Sequence, residues 1–541
     1  MTDVNALADE LVGVLFEADP LLPSLYGLPG DHDRLPDPSV EAEQRLRAKY
    51  SGLAARAETA SGDPVTRDVV IQQARAAVDT IDARLPEFTV SDAFVAPLQS
   101  LLLILPMIQL NDEAKAKGHL GRLAAFPSFV DSVIERQRGD LVPPEFLVDA
   151  GISYLDGYAG GPLRRNAELP GFAAERDRLL EAAVLPSLAR YRDFLATELK
   201  PGALPSDKAG ICWQPGGEQR YAKLIRVHTT TDRTARDLHD TGLAMIESLA
   251  EEYRELGSRV FGTSELPEIF ARLRTDPALR WSSGEEILEA ARSAVSRAES
   301  VAPQWFRSVP AQRCQVAAIP EEEAEGGTIA YYVDPALDGS RPGIYFANTS
   351  NPGERFRQTS EAVAFHEAVP GHHFQLTTAQ GLTGLPLLRR IANFNAYTEG
   401  WGLYSERLAD EMGLYSGDLY RLGMLTQDSM RAGRLVVDTG MHALGWSRQR
   451  AVGYLRENTP MAPLEIEKEI DRYAGCPGQA LSYLVGRLEI QRMRAEAEAA
   501  LGERFDIRTF HDVVLGGGAL PVSVLESVVR KWAGVVESRA D

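Results

Sequence analysis

Apolar residues recur three and four positions apart along most of this chain. The segments 38–60, 64–84, 94–114, 171–200, 231–257 and 281–300 show that spacing and are rich in Ala, Leu, Glu and Arg. The pattern predicts amphipathic helices with one face turned to a core. Clusters of Pro and Gly at 20–40, 139–144, 159–163, 201–217 and 350–353 separate them, as residues that interrupt a helix should. The first twenty residues read as a further, acidic amphipathic helix. One stretch keeps a different rhythm. Between 327 and 352, Tyr331, Val333, Ile344 and Phe346 favour a pleated strand and Asp338-Gly339-Ser340 supplies a turn, so it reads as strand, turn, strand. The expected class is mainly α with a small β element.

Composition narrows what such a chain does. At 541 residues it can bury a large core, and length alone suggests about two to four domains. A net charge of −20 with no basic tract to offset it argues against a nucleic-acid partner. No apolar run reaches the roughly 18 residues of a membrane span; LLLILPMIQL is short and carries a Pro. The N-terminal segment lacks the basic region of a signal peptide. Cys212, Cys314 and Cys476 are odd in number and far apart, so no disulfide framework is implied. The compartment expected from these features is the cytoplasm, with no membrane partner; oligomeric state is left open.

The most informative stretch is His366-Glu367-Ala368-Val369-Pro370-Gly371-His372-His373, which gathers three of the nine histidines into eight residues. It resembles the zinc-metallopeptidase signature H-E-x-x-H, in which two imidazoles on one helix face bind the metal and the Glu is general base. Here the second ligand would fall at position 370, and that residue is Pro. On a regular helix His372 lies about 120° off the face of His366, and His373 returns to the face but roughly 10 Å along the axis. Pro370 forbids a regular helix: it has no N–H for the His366 carbonyl and its ring clashes there. With Gly371 following, a kink or bulge of about half a turn would return the second His to the metal.

The H-E-x-x-P-G-H pattern is similar to the hallmark of family 885 of bacterial domains of unknown function, whose members resemble zinc metallopeptidases of the gluzincin type. Likeness extends to SLYGLPGDHDRLPD at 24–37 and to the run around His228-Thr229-Thr230. The resemblance implies His366 and His372 as ligands of Zn2+, with His373 a neighbour. A family-like block, Tyr397-Thr398-Glu399-Gly400-Trp401 through Glu406, implies Glu399 as third ligand. Glu406, two turns on along the same face, would orient a histidine, and Tyr397 would stand near the ligands or substrate. The resemblance also implies a helical metallopeptidase-like fold with a small β-sheet beside the metal-binding helix and a central cleft. In it 1–310 would wall the cleft and 311–541 would carry the metal site, the two forming one intertwined unit. An edge strand beside the metal helix would pair with extended substrate, or be a plain structural hairpin.

Two further family-like blocks place polar groups at helical spacing. Arg434, Asp438 and His442 are each four apart and so share a face; they read either as a substrate-facing His held by Asp438 or as a structural ion-pair ladder. In Pro477–Arg487, Tyr483 reads as an oxyanion donor or as core packing, and Arg487 as an anchor for a carboxylate. The resulting expectation is a zinc-dependent hydrolase of short peptides or peptide-like amides, with Glu367 as base and Tyr483 and His442 steadying the oxyanion. Two His and one Glu is also the ligand set of non-haem iron enzymes, and a non-catalytic metal-binding scaffold is a third reading. A base beside the metal favours hydrolysis, because the iron chemistry does not need one.

Overall fold

The structure is a computed structural model that describes residues 2–93, 95–158, 160–320, 324 and 328–535. Phe94, Ala159 and Gly327, which open the expected 94–114 helix, the 159–163 loop and the 327–352 hairpin, lie outside the described residues.

Capping chemistry sets the ends of the expected helices. Asp63 accepts from the Thr66 N–H at the start of the helix Pro64–Ala83, and Pro64 takes the first turn, where its missing N–H costs nothing. Thr234 and Asp237 form a reciprocal capping box at Ala235–Phe261 (α1), and Ser283 caps Gly284–Trp305 (α2). Two segments differ from expectation. The 94–114 segment is a helix Pro97–Ile104 ending in a 3₁₀ turn Leu105–Met107, and a new helix, Glu113–Gln137, begins at the Asp112 cap. Pro106 stops the first, and Asp112 serves better as a cap than as an interior residue. The 171–200 segment is helical but widens into π-turns at Leu180–Val184 and Leu195–Leu199; the first precedes Pro186, which removes a donor from the i→i−4 ladder.

The sheet has three strands: Gln315–Ala318 (β1), Ala330–Val333 (β2) and Ile344–Ala347 (β3), in the order β1-β3-β2. β2 and β3 pair antiparallel, Ala330 opposite Ala347, as the hairpin reading predicts. β1 runs parallel to β3 and was not foreseen, because QVAA has no alternation to mark it. β2 is an edge strand packed beside Ser360–Glu367 (α3).

The chain then supplies His372–Gly381 (α4), Asn395–Glu411 (α5), Asp418–His442 (α6), Pro463–Gly475 (α7) and Ser482–Leu501 (α8). α1 packs along α6 and α5 along α8. Three buried apolar clusters form the core, and each draws on both sides of residue 310; one joins Leu11, Val69 and Ala298 to Phe365, Trp401 and Leu520. The mainly helical class with a small mixed sheet is therefore observed. α6 is buried at every position from Leu422 to His442, yet carries Gln427, Asp428, Arg431, Arg434, Asp438 and His442. Buried polar groups at that density are costly unless each finds a partner, so this helix points to the site.

Candidate metal centre

His366 and Glu367 end α3, and His372 begins α4. Between them the chain leaves helical geometry: Ala368 has φ −109° and ψ −100°, and the Val369–Pro370 peptide is cis. Where the sequence suggested a bulge in one helix, there are two helices. Gly371 lies on the His366 carbonyl so closely that a Cβ would fall 1.9 Å from its oxygen. This turn sets the His366 and His372 rings edge to face, 4.6 Å apart. Their Nε2 atoms lie 3.5 and 3.4 Å from one Glu399 oxygen, and one donor atom from each of the three residues lies within 4.8 Å of the others. Ligands ~2.1 Å from a tetrahedral ion stand about 3.4 Å from one another. The three side chains fit such an ion, and its fourth position would be open.

α5 holds this arrangement from one face. Glu399, Gly402 and Glu406 are three, four and seven residues apart, so they line up. His366 donates its Nδ1–H to Glu406 Oε1 at 2.8 Å, which leaves the Nε2 lone pair for the metal. Gly402 makes room: a Cβ there would lie 2.8 Å from His366 Nε2 and 3.0 Å from His372 Cε1. The indole of Trp401, fully buried, donates to the Pro370 carbonyl at 2.8 Å and ties the turn to the same helix. The Glu-Gly-Trp-Gly stretch thus supplies a ligand, clearance for two rings and a clamp on the loop.

The local field suits a cation. Burial opposes a charged His366, but Glu399 and Glu406 outweigh it and lift its pKa to about 9. Glu399 is held well below the usual carboxylate range by both imidazoles, although burial works against it. Glu367 behaves oppositely: burial raises its pKa despite the nearby histidines. Among the described residues no side chain hydrogen-bonds to the Glu367 carboxylate, which stays partly exposed. A carboxylate with a raised pKa, beside three metal-type donors and free of partners, is equipped to take a proton.

The other sequence candidates separate into those at the site and those spent elsewhere. Tyr483 is at the site, its ring stacked on His366 with centroids 6.4 Å apart; burial and the Glu399 charge raise its hydroxyl above the ordinary value. The Arg434 guanidinium lies 4.4 Å from the centre of that ring. His373 turns to the sheet, donating from Nε2 to the Gln312 carbonyl and accepting the Tyr332 hydroxyl at Nδ1. His442 has no free nitrogen for an oxyanion: Nδ1 accepts the Ile211 N–H and Nε2 donates to the Tyr473 carbonyl. Asp438 does not hold His442; it accepts from the Tyr221 hydroxyl and the Gly478 N–H, so Arg434, Asp438 and His442 are not a ladder either. Arg487 is buried and paired with Asp428. Tyr397 donates to the Val514 carbonyl. Sequence reading missed Arg431, a buried neighbour of Glu406 and Tyr483, though its place one turn before Arg434 on an apolar helix was a signal.

Comparison with known proteins gives the chain relatives without a function. The structure entitled "The crystal structure of the putative lipoprotein from Colwellia psychrerythraea" is similar with a TM-score of 0.91 and 28% identity, over 98% of each chain. A second, "a putative lipoprotein of unknown function from Shewanella oneidensis", matches with a TM-score of 0.72 and 15% identity, over 98% of this chain and 100% of that one; it supports the fold alone. No curated protein matches the chain. The description of the Colwellia protein as a putative lipoprotein overturns the cytoplasmic expectation. The N-terminal segment on which it leaned is the helix Val4–Ala18, packed into the core, and such a helix says nothing of compartment. Among the described residues no helix is long and apolar enough to cross a membrane. Residues 20–529 match the family described as "Bacterial protein of unknown function (DUF885)", and the chain belongs to that family.

Proposed function

We propose that this protein is a metal-dependent hydrolase of short peptides or peptide-like amides, with zinc as its metal. The observation that carries the reading is the convergence of His366, His372 and Glu399 donor atoms within 4.8 Å, with the unpartnered carboxylate of Glu367 beside them. An ion held there would supply Lewis acidity, acidifying water and polarising a carbonyl oxygen. Glu367 takes the proton of the attacking water and passes it to the leaving amine. Tyr483, stacked on His366, donates its hydroxyl to the oxyanion. Glu406 keeps His366 in the tautomer that binds metal. The edge of β2 beside α3 offers main-chain donors and acceptors to an extended substrate. The description of the Colwellia protein supports a place at the cell envelope, where peptides are met outside the ribosomal pool.

The test is Glu367→Gln, assayed on short peptides with metal content measured in parallel. The variant keeps about one zinc per chain and loses turnover by at least ~100-fold. Turnover near the wild-type level would remove Glu367 from the chemistry and the hydrolase reading with it.

A further inference from the structure

Behind Tyr483 lies a group of charged side chains that the metal centre does not use. Arg434, 5% exposed, donates Nε–H to the Tyr473 hydroxyl and Nη2–H to Glu469. Its Nη1 is buried with no partner. Arg431, 7% exposed, reaches Gln427 and approaches Glu406, and its Nε is likewise unpartnered. Arg472 joins Glu469 and Gln479. Buried guanidinium donors left unpaired cost ~1–3 kcal/mol or more each, so their persistence here asks for an anion that arrives from outside. Solvent reaches this wall: the side chains of Glu399, Arg472 and Glu469 keep 22%, 21% and 19% exposure.

Arg355, Arg431, Arg434 and Arg472 stand around Glu465 and Glu469. Further carboxylates stand close by: Glu354 faces Arg355, Glu367 faces Arg431, Glu399 faces Tyr483, and Glu406 is engaged by His366. Glu469 is claimed by Arg434, Arg472 and Tyr473. What the wall offers is a guanidinium edge with free donors, the geometry that accepts a carboxylate.

Position makes the ligand specific. The Tyr483 ring neighbours both sites, with its centre 6.4 Å from the His366 ring and 4.4 Å from the Arg434 guanidinium. The His366 ring centre and the Arg434 guanidinium carbon are thus at most about 11 Å apart. An extended residue spans ~3.5 Å and a hydrogen bond adds ~2.9 Å, so one or two residues fit between a scissile carbonyl and a carboxylate on Arg434.

We propose that Arg434, with Arg431 and the face of Tyr483, is the subsite for a substrate's free C-terminal carboxylate, so that the enzyme releases one or two residues from carboxyl ends and does not cut within long chains. This rests on the hydrolase reading for its chemistry but not for its binding. Arg434 replaces Arg487 as the carboxylate anchor expected from sequence.

The experiment uses N-acetyl-trialanine and its C-terminal amide. Binding to zinc-loaded Glu367→Gln protein is measured by calorimetry, and hydrolysis by the wild type is followed separately. The free acid binds at least tenfold more tightly than the amide. Adding Arg434→Gln removes that difference and leaves the amide's affinity unchanged. Adding Arg434→Lys instead retains part of the preference, since the charge survives and the planar fork does not, which separates loss of the anchor from collapse of the fold. Equal binding of acid and amide, failure of both to bind, or a preference that survives Arg434→Gln overturns the subsite. Hydrolysis of neither peptide, with the acid preference intact, upholds the subsite and strikes the hydrolase reading instead.

Discussion

Gly402 shows how much of the centre depends on a side chain that is missing. A Cβ there would stand 2.8 Å from the His366 ring and 3.0 Å from that of His372, and neither ring can retreat, for His366 is tethered to Glu406 and both are buried. Gly402→Ala therefore weakens metal affinity by about 10–100-fold, the range for losing a group that orients a ligand. The helix itself gains propensity from the same change. Competition with a chromophoric chelator checks the first effect, and a thermal melt in excess chelator checks that the fold survives. At this scale the sequence was readable where chemistry is carried by an unusual neighbour. His366, Glu367 and His372 stood out because three histidines and a carboxylate surround a Pro-Gly break, whereas Glu399 was expected only from the resemblance of its Glu-Gly-Trp block. His442 and Arg487 misled because spacing shows which residues share a face and not which backbone groups lie across from it.

Among the elements, α6 carries a pH dependence. The Asp438 carboxyl, wholly buried, is raised by desolvation from 3.8 to about 7, even though Tyr221 and Gly478 donate to it. A folded-state pKa above the unfolded one means that the native state holds the proton more tightly. Its stabilising contribution is complete below about pH 4 and is lost as the pH rises through 7. At ~1.4 kcal/mol per unit, the loss is about 4 kcal/mol. Asp438→Asn, whose amide oxygen still accepts from Tyr221 and Gly478, lacks this contribution and loses less stability over that window. Denaturant melts of both proteins at pH 5 and pH 7.5 measure the difference, and parallel slopes would contradict it. The elements themselves were largely legible, since apolar spacing and caps such as Asp63 and Thr234 act within a few residues. The split at Pro106 and Asp112, the π-turn before Pro186 and the strand β1 were not, since each depends on a local donor or on a distant partner that periodicity does not register.

For the molecule as a whole, the three ligands come from the end of α3, the start of α4 and the second turn of α5, so metal binding and folding are linked. Free zinc at a hundred times its Kd stabilises the native state by ~2.7 kcal/mol. Stripping the metal lowers the melting midpoint, and readdition restores it; a midpoint unmoved by chelator and zinc alike would deny the site. The whole-molecule outline was visible as a helical chain, while the compartment was not, because a packed first helix carries no address. The break at Pro370 has one more consequence. Because α3 and α4 are separate helices, joined across the break by one backbone bond from the Phe374 N–H to the Ala368 carbonyl, their own ladders can open separately. An ion bridging them would merge two local unfolding units into one, so that amide protons on both helices exchange at a common rate with metal bound and at different rates without it.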